Sequence, residues 1–274
     1  ISDDGRLGGY QKSQIEEFIR GLKSLSSELH DDLRTQTSDG ERMDYIHAHS
    51  CLHRWIWWLE VRRRWAVDPQ YYSELLCSNL LQQVLFPWAP APERLKVLIR
   101  LLNLAPAVFA AARENLECPP EILVRYGIEQ VQGMISLIEK DLFLAFADVA
   151  NGDLQREFSS AGQSALEAVR SFLEFLEKDL QPRAKGDFVL GPKNLEQLLL
   201  LGEIIEGAPD FYAELALEEI ERAHRRLREL AERVEAGLSA EQLWNRIEHD
   251  FPQGGTLPQT AASQLNQLQQ FIQE

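Results

Sequence analysis

"PDFYAELALEEIERAHRRLRELAERVEA", residues 209–236, decides the fold class. Its apolar residues Ala216, Ile220, Ala223, Leu227, Leu230 and Val234 step by four, three, four, three and four positions. A helix turn of about 3.6 residues gathers such a series onto one stripe, so the spacing predicts a single long amphipathic helix. Pro209 stands at its start, where a missing N–H costs nothing. Glu218–Arg222, Glu221–Arg225, Arg228–Glu232 and Glu229–Arg233 fall at i,i+4 on the other face, as on a solvated, pair-laced surface.

The same period recurs on both sides of this stretch. From Asp39 to Arg64, Tyr45, Ala48, Leu52, Trp55, Ile56 and Leu59 form a second stripe, with Ser38 or Asp39 placed to cap it. "VDPQYY" restarts a helix, with Asp68 as N-cap and Pro69 in the first helical position. "FPWAPAP" breaks it, since prolines do not sit in a helix interior. "APERLKVLIRLLNLAPAVFAAARENL" resumes, and Pro106 is expected to kink or split it. "CPPEILVRYGIEQVQGMISLIEKDLFLAF" begins another helix, Asn151–Gly152 punctuates, and "LQREFSSAGQSALEAVRSFLEFLEKDL" follows. Two shorter helices close the chain, one capped by Ser239 and one ending in "NQLQQFIQE".

Strand signals are nearly absent. The expected fold is all-α, a multi-helix array of long antiparallel amphipathic helices with little or no strand. An N-terminal helical bundle over 1–180, a linker over 181–192 and a C-terminal helical segment over 193–274 are expected. In the linker, Phe188, Val189 and Leu190 could form a short extended piece.

The totals narrow the partners. A chain of 274 residues with net charge −15 is poorly suited to nucleic acid, whose binding needs Lys and Arg to replace counterions. It is equally unsuited to an anionic membrane surface. No uninterrupted apolar run approaches the roughly eighteen residues of a spanning helix. The chain opens "ISDDGRLGG" without a methionine, so the want of a visible leader carries no weight. Three widely spaced cysteines, Cys51, Cys77 and Cys118, read as reduced thiols, a usage that leans toward the cytoplasm.

"HAHSCLHRW", residues 47–55, looks like a metal site until it is placed on its helix. At about 100° per residue, His47 and His49 point about 200° apart and cannot share an ion. His49 and His53 can face one point, but that makes two ligands where zinc needs three or four. Both border the apolar stripe, where a histidine packs its ring and keeps a polar tip wet. Cys51 projects from the opposite flank, and no glutamate completes an HExxH. The chain also lacks GxSxG, a glycine-rich phosphate loop and CxxC. Neighbouring carboxylates such as Glu16–Glu17 and Glu218–Glu219 point apart. Trp55, Trp57, Trp58 and Trp65 resemble a ligand cluster, but aromatics on an amphipathic helix are more often core, and Trp57 or Trp58 would mark a contact with another segment. Arg62, Arg63 and Arg64 end that helix, where cations suit the macrodipole. No catalytic, cofactor-binding or metal residue is assigned within this chain.

The order of segments carries a resemblance. "DPQYY", "APAPERLKVLIRLLNLAPAVFAAARENL", "PPEILVRYGIEQVQGM" and "GDFVLG" before a long charged helix resemble bacterial "domain of unknown function 885" proteins, over about Asp39 to Glu274. "ARENL" followed by Pro119 and Pro120 is the most telling part. The turn "GPKNL" departs from the pattern, which has an aromatic near Leu195. The resemblance implies a longer, zinc-metallopeptidase-like hydrolase whose HExxH helix and glutamate ligand lie in a C-terminal half. This chain would then be the N-terminal half, a cleft wall or scaffold for a peptide-like substrate, with zinc held elsewhere. The alternative is a free-standing helical interaction or structural protein.

The cleft-wall reading makes two structural demands. Helices before Leu190 should close a core of their own. Trp244, Phe251, Leu257, Leu265, Leu268 and Phe271 should form an apolar surface left for the C-terminal half or for self-association to cover.

Overall fold

A computed structural model describes residues 7–33, 38–250 and 256–273. The described residues form helices and their connections, with no strand among them. The chain divides into two compact units, Ile1–Glu206 and Gly207–Glu274.

The first unit is built on α5, Ala91–Asn115, and α8, Gly152–Phe175, which pack along one another. Leu98, Leu101, Ala105, Val108 and Ala112 of α5 are buried, as are Phe158, Ala161, Ala165 and Val169 of α8. Alanines on both facing stripes leave room for large neighbours, and Phe109 stacks on Phe172 with ring centroids 4.6 Å apart. Asn151, read from the sequence only as punctuation, caps α8, its side chain accepting the Leu154 N–H at 3.1 Å.

Two details of α5 stand out, the first being that Pro106 does not split it. The helix runs unbroken through Pro106, whose ring is on the exposed side. Proline withholds only the one N–H that would meet the Leu102 carbonyl, and the ring, on the outer side, does not end the helix. By length and composition α5 could also cross a membrane, yet 61% of its most apolar stretch is buried inside the fold. Its apolarity is that of a helix surrounded by others.

Around this pair lie α4, Gln70–Leu85, and α6, Glu121–Ser136. Gly127 of α6 sits against Pro69, and a Cβ there would come within 2.6 Å of the proline Cγ. A π-helical turn, Leu137–Asp141, and a short helix α7, Leu142–Ala145, lead on toward α8. The Asp68 carboxylate accepts the Gln70 N–H at 3.0 Å, while Pro69 stands at the N-cap position, one residue outside the helix and not in its first helical position as expected.

α1, Lys12–Leu33, packs on α2, Asp39–Trp57. Ile15 and Ile19 of α1 meet Leu59, Trp65 and Ala66 in a second, smaller core. The larger core extends from the α4 residues Tyr72, Leu76 and Leu80 to Leu180 and Ala184. Helices before Leu190 thus close a core of their own.

The segment expected as a linker, 181–192, is not where the units part. Residues 181–183 form a 3-10 turn, and Phe188–Leu190 belong to no helix or strand. Gly186 donates its N–H to the Pro119 carbonyl at 3.0 Å, and a Cβ there would lie 2.2 Å from the Cys118 carbonyl oxygen. Next, α9, Pro192–Glu203, packs on α2. Trp57 Nε1 donates to Gln197 Oε1 at 3.3 Å, and Ser50 Oγ donates to the Leu201 carbonyl. These contacts keep α9 with the first unit and move the division to Glu206.

The second unit holds α10, Pro209–Val234, α11, Ala240–Glu248, and α12, Leu257–Gln273. Ser239 and Gln242 form a reciprocal capping box at the start of α11. Among its described residues, Ala231 of α10 and Leu243 of α11 are buried. On the charged face of α10, Arg222 pairs with Glu219, one turn position nearer than the expected Glu218. Trp244, Leu257, Leu265, Leu268 and Phe271 are all exposed, Phe271 at 76%. Phe251 lies outside the described residues.

Candidate functional site

The sharpest irregularity in the first unit follows α2. The helix widens into a π-helical turn, Trp58–Arg62, and the Arg63 N–H bonds to the Trp58 carbonyl. Arg63 then adopts a left-handed conformation, φ 48 and ψ 45, before the short helix α3, Arg64–Val67. A β-carbon makes that conformation costly, so neighbours must hold it. Arg63 pairs with Glu117 at 3.0 Å and stands over the Trp65 ring, 5.2 Å from its centroid.

The wider turn leaves the Leu59 carbonyl without its helical donor, and Trp65 Nε1 donates to it at 2.9 Å. Trp65 is thereby fixed beneath the corner. Below it, the Tyr72 hydroxyl donates to the Trp65 carbonyl at 2.6 Å and accepts from Asn115 Nδ2 at 2.8 Å. Burial pushes the Tyr72 hydroxyl well above its ordinary pKa, against the opposing hydrogen bond from Asn115.

The corner encloses a cleft of about 360 Å³, lined by Arg54, Trp55, Trp58, Leu59, Arg64, Trp65 and Tyr71. Arg64 is committed to carboxylates: its Nε lies 2.8 Å from Asp68 and a terminal nitrogen 3.1 Å from Glu74. Burial works against the Arg64 charge, but Asp68 and Glu74 outweigh it and raise its pKa. Burial likewise raises the Tyr71 hydroxyl, partly offset by Arg64, and that hydroxyl donates to the Gly9 carbonyl at 3.2 Å.

Arg54 is different. It is half-buried, its stem passes beside Gly202 of α9, and its guanidinium has no hydrogen bond or ion pair among the described residues. The indoles of Trp55 and Trp58 likewise keep their N–H groups without a partner among the described residues. The unspent polar groups on the cleft are therefore donors.

The tryptophans divide accordingly. Trp57 is 4% exposed and holds α9, so it marks a contact between segments; Trp65 is a buried wall. Trp55 and Trp58 face the cleft, Trp55 at 54% exposure. That a stripe position, Trp55, lies in the open follows from the π-turn and the corner, neither of which has a composition signal. An Arg directly before an aromatic run, "RWIWW", was the available hint.

The histidines fall where helix geometry puts them. His49 and His53 lie side by side with ring centroids 4.2 Å apart, and His53 Nε2 is 2.9 Å from Ser26 Oγ. His47 instead lies 3.7 Å from the Cys51 sulfur, on another flank. No group of three or more His, Cys, Asp or Glu side chains is placed to hold a metal among the described residues. The residues present do not fit the zinc centre that the resemblance implies.

No curated protein matches the chain. A solved structure from Shewanella oneidensis, described as that of a candidate lipoprotein of unknown function, is similar in fold. It superposes with a TM-score of 0.72 at 20% identity, covering 93% of this chain and 45% of that one. The chain thus spans less than half the length of that structure. The family described as "Bacterial protein of unknown function (DUF885)" matches residues 1–274, so the match begins well before Asp39, and the chain belongs to that family.

Proposed function

We propose that this chain is a helical wall of the substrate cleft in a larger, zinc-metallopeptidase-like hydrolase acting on peptide-like substrates. The observation that carries this reading is the number of large apolar side chains left exposed on α10, α11 and α12. Ile220, Leu230, Trp244, Leu265, Leu268 and Phe271 are all exposed. Monomers seldom leave so many large apolar side chains uncovered on successive helices. A second half of the same protein would cover them.

In this reading the water-activating HExxH helix and its zinc belong to residues outside this chain. The chain's own residues contribute binding surface, with the cleft under Arg63 as the shaped part. A second reading, a free-standing helical interaction protein, is favoured by the core that closes before Leu190.

Reading the parent coding sequence past Glu274 separates the two. An HExxH downstream supports the hydrolase reading, and changing its glutamate to glutamine in the longer protein should abolish peptide hydrolysis. A stop codon directly after Glu274, or full hydrolysis by that variant, overturns it in favour of the free-standing protein.

A further inference from the structure

We infer that the cleft under the Arg63 corner is a binding site for a small apolar or aromatic carboxylate, with Arg54 holding the carboxylate. The inference needs only residues of the first unit and stands whether or not the hydrolase reading holds.

Three properties of the cleft set the ligand class. A volume of about 360 Å³ suits a ligand near the size of one amino acid. Its walls, Leu59, Trp58 and Trp65, are apolar or aromatic, so the body of the ligand is apolar. Its unspent polar groups are the Arg54 guanidinium and the indole N–H groups of Trp55 and Trp58, so the polar end of the ligand must accept hydrogen bonds.

Aromatic walls also suit cations, but the charge left uncompensated on the cleft among the described residues is the Arg54 guanidinium, which would repel one. The nearby carboxylates, Asp68 and Glu74, are spent on Arg64. An anion fits where a cation does not. A planar guanidinium pairs with a carboxylate through two parallel hydrogen bonds, and partial burial strengthens them. On a chain of net charge −15, a half-buried arginine left without a carboxylate among its described neighbours is otherwise hard to account for.

The test uses two probes that differ only in that charge, N-acetyl-L-phenylalanine and its primary amide, in isothermal titration calorimetry on the full chain. The acid should bind, and the amide should bind roughly tenfold more weakly or less. In Arg54→Gln the acid should fall to the affinity of the amide while the amide is unchanged. Arg100→Gln, on the exposed side of α5, should leave both as they were. Trp58→Ala should weaken both probes alike.

Equal affinity for acid and amide on the unaltered chain overturns the inference, and that comparison needs no variant to fold. No heat from the acid up to its solubility limit overturns it as well. So does an Arg54→Gln variant, with an unchanged melting curve, that keeps its preference for the acid.

Discussion

Trp65 donates its indole N–H to the carbonyl of Leu59, six residues earlier and across the left-handed corner at Arg63. That bond closes the gap the π-turn opens in the helix ladder, and both groups are buried. Trp65→Phe keeps most of the ring and leaves the carbonyl unsatisfied. Stability should fall by about 1–3 kcal/mol, the cost of a buried unpaired group. Urea denaturation measures this, and a loss of a few tenths would mean water reaches the carbonyl.

Two glycines on α6 should respond in opposite directions to the same change. Gly127→Ala drives a methyl against Pro69, at 2.6 Å from its Cγ, and overpacking of this kind costs about 1–3 kcal/mol. Gly133→Ala meets nothing within 4 Å and gains about 0.5–1 kcal/mol from helix propensity. Paired thermal melts would decide it, and stabilisation by both substitutions would contradict the packing.

The Tyr72 hydroxyl makes stability depend on alkaline pH. Its pKa is raised in the fold above the ordinary 10.0, because burial disfavours the phenolate. The unfolded chain then loses its proton first, so the contribution is complete below pH 10 and declines as pH rises beyond it. Tyr71 is raised in the same direction and adds to the slope. Urea midpoints measured from pH 8 upward should fall above 10, and Tyr72→Phe should flatten the fall without removing it.

Zinc offered to the purified chain and then dialysed should not remain in stoichiometric amount. His49 and His53 supply two nearby rings, and His53 already faces Ser26. Zinc that stays bound one to one, and is lost in a His49→Ala, His53→Ala double variant, would show that a third ligand completes the pair.

Apolar period was legible wherever a helix lies on a core through a whole turn series. The segment read as a helix after Asn151–Gly152 is α8, and it buries Phe158, Ala161, Ala165 and Val169 at helical spacing. Ser38 and Ser239 cap as their positions suggest, because capping is decided by the next three residues. The family resemblance lay in the same segments, and the match proved to cover the full chain.

What was not legible depends on contacts distant in sequence. Trp55 continues a helical stripe on paper, yet it is 54% exposed because the backbone turns eight residues later. Arg63 takes its left-handed conformation through Glu117 and Trp65, and no residue beside it announces a turn. Likewise α9 joins the first unit through Gln197 and Leu201, partners of Trp57 and Ser50 from well over a hundred positions earlier. The cleft, made of residues from four such elements, was therefore invisible as a site. Only its tryptophans had drawn notice.

The larger core ends, in sequence order, at Leu180 and Ala184. Chains emerge from the ribosome N-terminus first, and domains generally fold as units in that order. Every buried side chain of this core has thus been made before Pro209 opens α10. The uncovered apolar helices are synthesised after that core, so they meet a finished first unit and not a half-made one. Synthesis order itself keeps the stickiest surface of the protein away from the hydrophobic residues of its own unfinished core.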